Sequence, residues 1–206
     1  MKSRMRSFSA LFVAVVSLQG TAAAQARVPD TTGSALALQQ SRGATRDLLL
    51  SLRRTLEDHL SAGGPIHAIA VCADTAQAMT EAIGKKSALA IRRVSDRWRN
   101  PLDEPDGFER SVLSLFGRAL RETTLTDASE HSEVVLEDGR RVLRYMKPIR
   151  IAGMCTACHG EPSRMDPALR EVIRDRYPDD RATGYAIGDL RGAVSIRVSL
   201  PEPPNR

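Results

Sequence analysis

The residues with the most chemistry in them are Cys155-Thr156-Ala157-Cys158-His159. C-x-x-C-H is the spacing by which one haem is attached covalently as haem c. The two thiols add to the vinyl groups as thioethers, and the histidine that follows directly swings beneath the iron as an axial ligand. Three plainer uses of the pair compete. A zinc site needs two further Cys or His at similarly close spacing, whereas His59, His67 and His131 are scattered along the chain. A thioredoxin-like pair needs a strand-to-helix βαβ setting. A short disulfide is the third use. Haem is favoured because the N-terminus and the cysteine count both agree with it.

Lys2, Arg4 and Arg6 precede an apolar run from Phe8 to Leu18, and Ala22-Ala23-Ala24 and Ala24-Gln25-Ala26 offer small-residue cleavage sites. This layout reads as a secretory signal peptide over residues 1–26, followed by a single domain over 27–206. The run is short of the ~20 residues that a membrane span requires. The processed chain is therefore expected to be periplasmic or otherwise exported, and not an integral membrane protein. Haem is attached to C-x-x-C-H outside the bacterial cytoplasm, so export is what the motif requires. The net charge of +5 comes from 30 basic and 25 acidic residues. Removing the three basic residues of the signal leaves +2, which says little about partners. No basic run is interleaved with aromatics, so nucleic acid is not an expected partner. Aromatic residues are only 4% of the chain, and a buried haem would supply much of the missing apolar surface.

Several elements must position the motif. Leu48, Leu49, Leu52, Leu56 and Leu60 recur at helical steps within a helix expected from Ser34 to about Ser61. Gly63-Gly64-Pro65 ends it and starts a second helix, about Ile66 to Ile83, with Gly84 as its C′ residue. The short joint predicts an antiparallel helical hairpin, with Cys72 on the inward face among Ile69, Ala76, Met79 and Ile83. A strand is expected over Ser87–Val94, then a proline-rich loop through Gly107 and a helix over Phe108–Arg121. Asp138-Gly139 between two alternating runs predicts a β-hairpin with a primed turn. Asp166-Pro167 opens another helix through about Arg176, and Gly192–Val198 alternates as a half-buried strand. Helices first and strands afterwards give an α+β fold with an antiparallel sheet. The chain is too long and strand-rich for a small all-helical cytochrome.

The third cysteine, Cys72, remains once haem has taken two. In an oxidising compartment an odd cysteine is buried, ligating or a liability, and its apolar helix neighbours equally suit an ordinary core cysteine. Other candidates for a sixth ligand are His67, Met79, Met146, Met154, Lys147 and Met165. His67 lies about 140 degrees around the helix from Cys72, so the two should not face one iron together. The methionines read more simply as packing or loop residues and Lys147 as solvated. Arg92, Arg93, Arg97 and Arg99 run into the proline loop. An arginine fork suits a carboxylate, so either Arg97 or Arg99 is expected on a haem propionate, with a solvated basic face as the plain alternative. Trp98 and Tyr185 are further candidates to line the haem.

Five ordered patches carry a resemblance. They are Val71-Cys72; Arg99-Asn100-Pro101 with Pro105-Asp106; Tyr145-Met146-Lys147-Pro148-Ile149; Cys155-Thr156-Ala157-Cys158-His159-Gly160; and Asp180 to Tyr185 with Gly188 to Gly192. In these the chain resembles the PAS-like c-type haem-binding domain family, over roughly Leu48 to Val198. The resemblance implies a PAS-like antiparallel sheet flanked by helices, with haem c held against it. It also implies an axial pair of His159 and Cys72. Asp103 stands where the family pattern leads one to expect Asn, and Phe108 where it leads one to expect Trp.

The expected function is that of an exported monohaem c-type cytochrome cycling one electron, as a carrier for an unnamed redox partner or as a redox or gas sensor. A thiolate ligand would favour oxidised iron and lower the potential. No membrane span or signalling domain follows the motif in the sequence, so a sensor would signal through a partner protein. The chain is not expected to be an enzyme. The alternative is a peroxidase-like haem enzyme, which needs an open iron position and a distal acid–base group.

Overall fold

The computed structural model describes residues 32–202. The expected signal peptide lies outside them. Among the described residues, no helix is long and apolar enough to cross a membrane.

The chain opens with α1, Thr32–Ser87, two helical arms joined without a loop. The joint is at Gly63 (φ −158°, ψ 15°) and Gly64 (φ 70°, ψ −169°), followed by Pro65. Gly64 sits in the positive-φ region that costs glycine little. The arms fold back on one another: the Thr55 hydroxyl donates to the Met79 sulfur at 3.7 Å, across 24 positions of sequence. A straight helix would part these residues by about 36 Å. The predicted hairpin is therefore present.

Its second arm does not stop at Gly84. It ends at Ser87, where the Leu89 amide donates to the Gly84 carbonyl (3.0 Å) and the Ala88 amide to that of Lys85 (3.3 Å). Ala88 holds φ 54°. This is the paired-bond helix stop in which a left-handed residue caps the last turn. Alanine fills the place that usually falls to glycine, which is why sequence reasoning set the end a turn early.

Beyond it come β1 (Ala90–Val94), α2 (Gly107–Arg121), β2 (His131–Glu137) and β3 (Arg140–Arg150). The motif follows on a short turn of helix, α3 (Thr156–His159), and then α4 (Pro167–Arg176) and β4 (Leu190–Ser199). The strands form one antiparallel sheet in the order β1-β4-β3-β2. Asp138 (φ 50°) and Gly139 (φ 75°) make the primed turn predicted between β2 and β3. Asp106 caps α2 reciprocally: its carboxylate accepts from the Glu109 amide while Glu109 accepts from the Asp106 amide, both at 2.8 Å. Asp166 caps α4 as expected, accepting from the Ala168 amide at 2.8 Å.

α2 covers one face of the sheet, where Val112, Leu113 and Phe116 pack on Met146 and Ala193. The helical hairpin covers the other, where Ala44 and Leu48 pack on Tyr145, Val194 and Ile196. The fold is thus α+β, an antiparallel sheet flanked by helices. β4 was expected to be half-buried, but Ala193 to Ile196 are buried on both faces because β4 is a central strand under two helical layers.

Candidate functional site

The second arm of α1, the motif helix α3 and α4 pack together through Ile69, Cys158, Met165, Leu169 and Ile173. Between the hairpin, the motif and the β1–β4 edge lies a cavity of about 440 Å³, in the size range of small-molecule and cofactor sites. Leu49, Leu52, Leu56 and Leu60 line it from the first arm, and Ile69, Cys72 and Ala76 from the second. Cys155, Cys158 and His159 line it from the motif. Every cysteine of the chain and the motif histidine therefore border one mostly apolar space.

Residues 180–185 clasp the motif from behind. The Tyr185 amide donates to the His159 carbonyl at 2.9 Å, and the Gly184 amide to that of Gly160 at 2.7 Å. His159 Nδ1 lies 2.7 Å from the Ala182 carbonyl oxygen. A carbonyl only accepts, so Nδ1 carries the proton and the neutral ring keeps its lone pair on Nε2. Metal-bound histidines are commonly oriented by such a bond from their other nitrogen. Burial, aided by the Arg99 and Arg191 charges, holds the His159 pKa well below the usual imidazole range, with the Ala182 bond opposing. Gly160 is required here, since a Cβ would run into the Thr156 carbonyl oxygen.

Arg99 completes the clasp. Its Nη2 donates to the Cys158 carbonyl at 2.6 Å, and its Nε and Nη2 donate to the two Asp180 oxygens at 3.2 and 3.1 Å. Asp180 also accepts from the Ala182 amide at 2.8 Å. The Arg99 and Asp180 side chains are only 7% and 9% exposed. Arg99 therefore lines the cavity while holding the motif in place. Arg97 is placed elsewhere: its guanidinium stacks on Tyr185, 4.0 Å from the ring centroid, and it does not border the cavity.

Four arginines that sequence reasoning did not single out as site residues, Arg53, Arg93, Arg150 and Arg191, do border it. Arg93 on β1 has a buried Nε with no hydrogen-bond partner, and its nearest carboxylate, Asp103, is 3.9 Å away. Arg191 on β4 donates to the Arg97 carbonyl at 3.1 Å. The strand pattern places Arg93 on a sheet, but only the tertiary fold shows which face meets the cavity. Asp103 is the cavity's acidic group. Burial raises its pKa, and Arg93, Arg191 and Arg92 pull it back only in part.

Burial likewise pushes the Cys72 thiol up, against the pull of Arg93. Cys158 is raised by burial as well. Such thiols hold their protons unless a cation compensates them.

The other candidates fall away from this space, Met154 excepted, which lines it. Met146 is fully buried under α2, and Met165 lies in a loop as expected, packed against Ile69 and Leu169. Lys147 donates to the Ser129 carbonyl at 3.0 Å. His67 is exposed beside His59. Trp98 is buried under the Arg181 guanidinium, 4.5 Å from its ring centroid, and Tyr185 stands edge-on to His159 at 6.2 Å, outside the cavity lining.

The sequence profile of the Tll0287-like family matches residues 17–199. Among solved structures, the chain is similar to the cyanobacterial heme-protein Tll0287, with 22% identity and a TM-score of 0.60 over 78% of this chain and 95% of that one. No curated protein matches it. With a profile match running from before the helical hairpin to the end of β4, the chain belongs to the Tll0287-like family.

Proposed function

We propose that this protein is an exported monohaem c-type cytochrome, with the haem linked to Cys155 and Cys158, that passes single electrons or reports redox state to a partner protein. The observation that carries the reading is convergence. The C-x-x-C-H motif and the remaining cysteine, Cys72, come from separate stretches of chain and border the same apolar cavity. The similar structure is titled a heme-protein, which supports the reading.

The residues present fit the group. Two thiols at the required spacing stand at the motif, and a clasped imidazole presents Nε2 as its free lone pair. Leucines from the hairpin supply flat apolar walls. The unpartnered Nε of Arg93 is a buried donor suited to a propionate, with Arg191 beside the same space. When bound, the haem supplies the one-electron iron couple. His159 and Cys72 would hold the iron, and the 180–185 clasp, through the Ala182 carbonyl, keeps the His159 imidazole from rotating. Arg93, Arg99 and Arg191 bring positive charge to the cavity wall. This arrangement suits electron transfer or sensing better than turnover, because Cys72, on the cavity wall, would fill the position an enzyme would leave open.

The test is the absorption and electron paramagnetic resonance spectra of the purified full chain beside Cys72→Ala. A covalently held, low-spin, thiolate-type ferric signal that disappears in the variant is expected. Protein that carries no haem would sink the proposal. A low-spin signal unchanged by the substitution would remove Cys72 as ligand, and a high-spin wild type would turn the reading to an oxidant-consuming enzyme.

A further inference from the structure

The tip of the helical hairpin carries a second grouping with metal chemistry, unrelated to the motif. His59 sits near the end of the first arm and His67 in the first turn of the second, across Gly63-Gly64-Pro65. His59 Nδ1 and His67 Nε2 are 3.1 Å apart, and the rings meet edge to face with centroids 5.1 Å apart. His67 is exposed and His59 half-buried, so both nitrogens are within reach of solvent ions.

A ring nitrogen pair this close shares a single proton, one ring donating and the other accepting. The same pair also has the separation of a chelate. Two imidazole nitrogens each about 2.0–2.1 Å from one ion lie about 2.9 Å apart at a right angle and about 3.4 Å apart at the tetrahedral angle. The observed 3.1 Å falls between them. We infer that His59 and His67 form a peripheral two-histidine site for a borderline divalent transition metal, Zn(II) or Cu(II), stapling the tip of the hairpin. Imidazole suits these ions. Among the described residues no group of three metal-ligating side chains occurs, so water completes the coordination and the site is open on its outer side.

The backbone keeps room for the pair. At Gly63 a Cβ would stand 2.7 Å from His67 Cβ and 2.9 Å from Cγ, so any side chain there pushes His67 off its place. The site also borders the cavity wall in sequence: Leu60 and Ala68, each next to one of the histidines, line the cavity. An ion across His59 and His67 fixes the two arms at the end nearest Cys72.

The inference stands apart from the haem reading. Zn(II) is titrated calorimetrically into the full-length purified protein, with His67→Gln, His59→Gln and Gly63→Ala alongside. One saturable site is expected in the wild type. Each histidine variant should weaken it by at least about tenfold, a loss seen even for groups that merely orient a metal ligand. Gly63→Ala should weaken it while leaving both imidazoles in the chain. Circular dichroism establishes that the variants fold. No saturable binding in the wild type, or binding as tight as wild type in either histidine variant, would overturn the site.

Discussion

Asp103 carries a carboxyl into the cavity wall, and burial outweighs the pull of Arg93, Arg191 and Arg92 to leave its pKa raised. A carboxyl raised in the folded state contributes stability that is present below its unfolded pKa and lost as pH rises through the folded one. At neutral pH its charge is therefore a net cost to folding. Asp103→Asn keeps the backbone bonds, in which the Ser95 amide donates to the Asp103 carbonyl and the Asp103 amide to that of Asn100. The variant is expected to unfold at higher urea concentration than wild type at about pH 7.5, with the gap closing towards about pH 4. A lower midpoint at the higher pH would mean the attraction to Arg93 dominates. At this scale the motif was legible because C-x-x-C-H is a local sequence signal that needs no tertiary information. The use of Arg99 was less so. A buried arginine must find partners, but only the fold shows that Asp180 and the Cys158 carbonyl are those partners.

Elements announced by local chemistry came through cleanly. The Asp138-Gly139 turn, the Asp166 cap and the Gly63-Gly64-Pro65 reversal all lie where their residues place them. Two readings missed for different reasons: α1 runs past Gly84 because an alanine holds the left-handed cap, and β4 is covered on both faces by tertiary packing. The α1 stop gives an element-scale prediction. Ala88 bears the left-handed strain at φ 54°, which costs an L-residue about 1–2 kcal/mol. Ala88→Gly relieves it but loosens the unfolded chain. A net gain of about 0.5–1 kcal/mol is expected from denaturant titration. An equal or lower stability would show that the turn's two hydrogen bonds already compensate alanine there.

For the whole molecule, the cavity lies where three parts meet: the hairpin, the β1–β4 edge and the motif with α4. Its leucine walls are apolar surface awaiting a partner, and a group bound only in the folded state stabilises that state. Under the haem reading, Cys155→Ala with Cys158→Ala should melt at lower temperature than the loaded wild type, with the hairpin amides losing hydrogen-exchange protection first. Equal melting and equal protection would mean that the hairpin is held by its sheet contacts alone, through Leu48 and Tyr145. The layered α+β class was readable from element order. The cavity was not, because it depends on how far the hairpin stands off the sheet.

β4 lies between β1 and β3 but is synthesised after both. Until it arrives, those strands have no common neighbour, and Gly192 has not yet entered the close approach to the Val94 carbonyl that only a residue without Cβ allows. The 180–185 clasp likewise follows the motif in the chain, so the motif is unclasped until those residues have been made. Under the haem reading, each newly made chain therefore passes through a period in which Cys155 and Cys158 are open to attachment chemistry, and the closing of the clasp brings that period to an end.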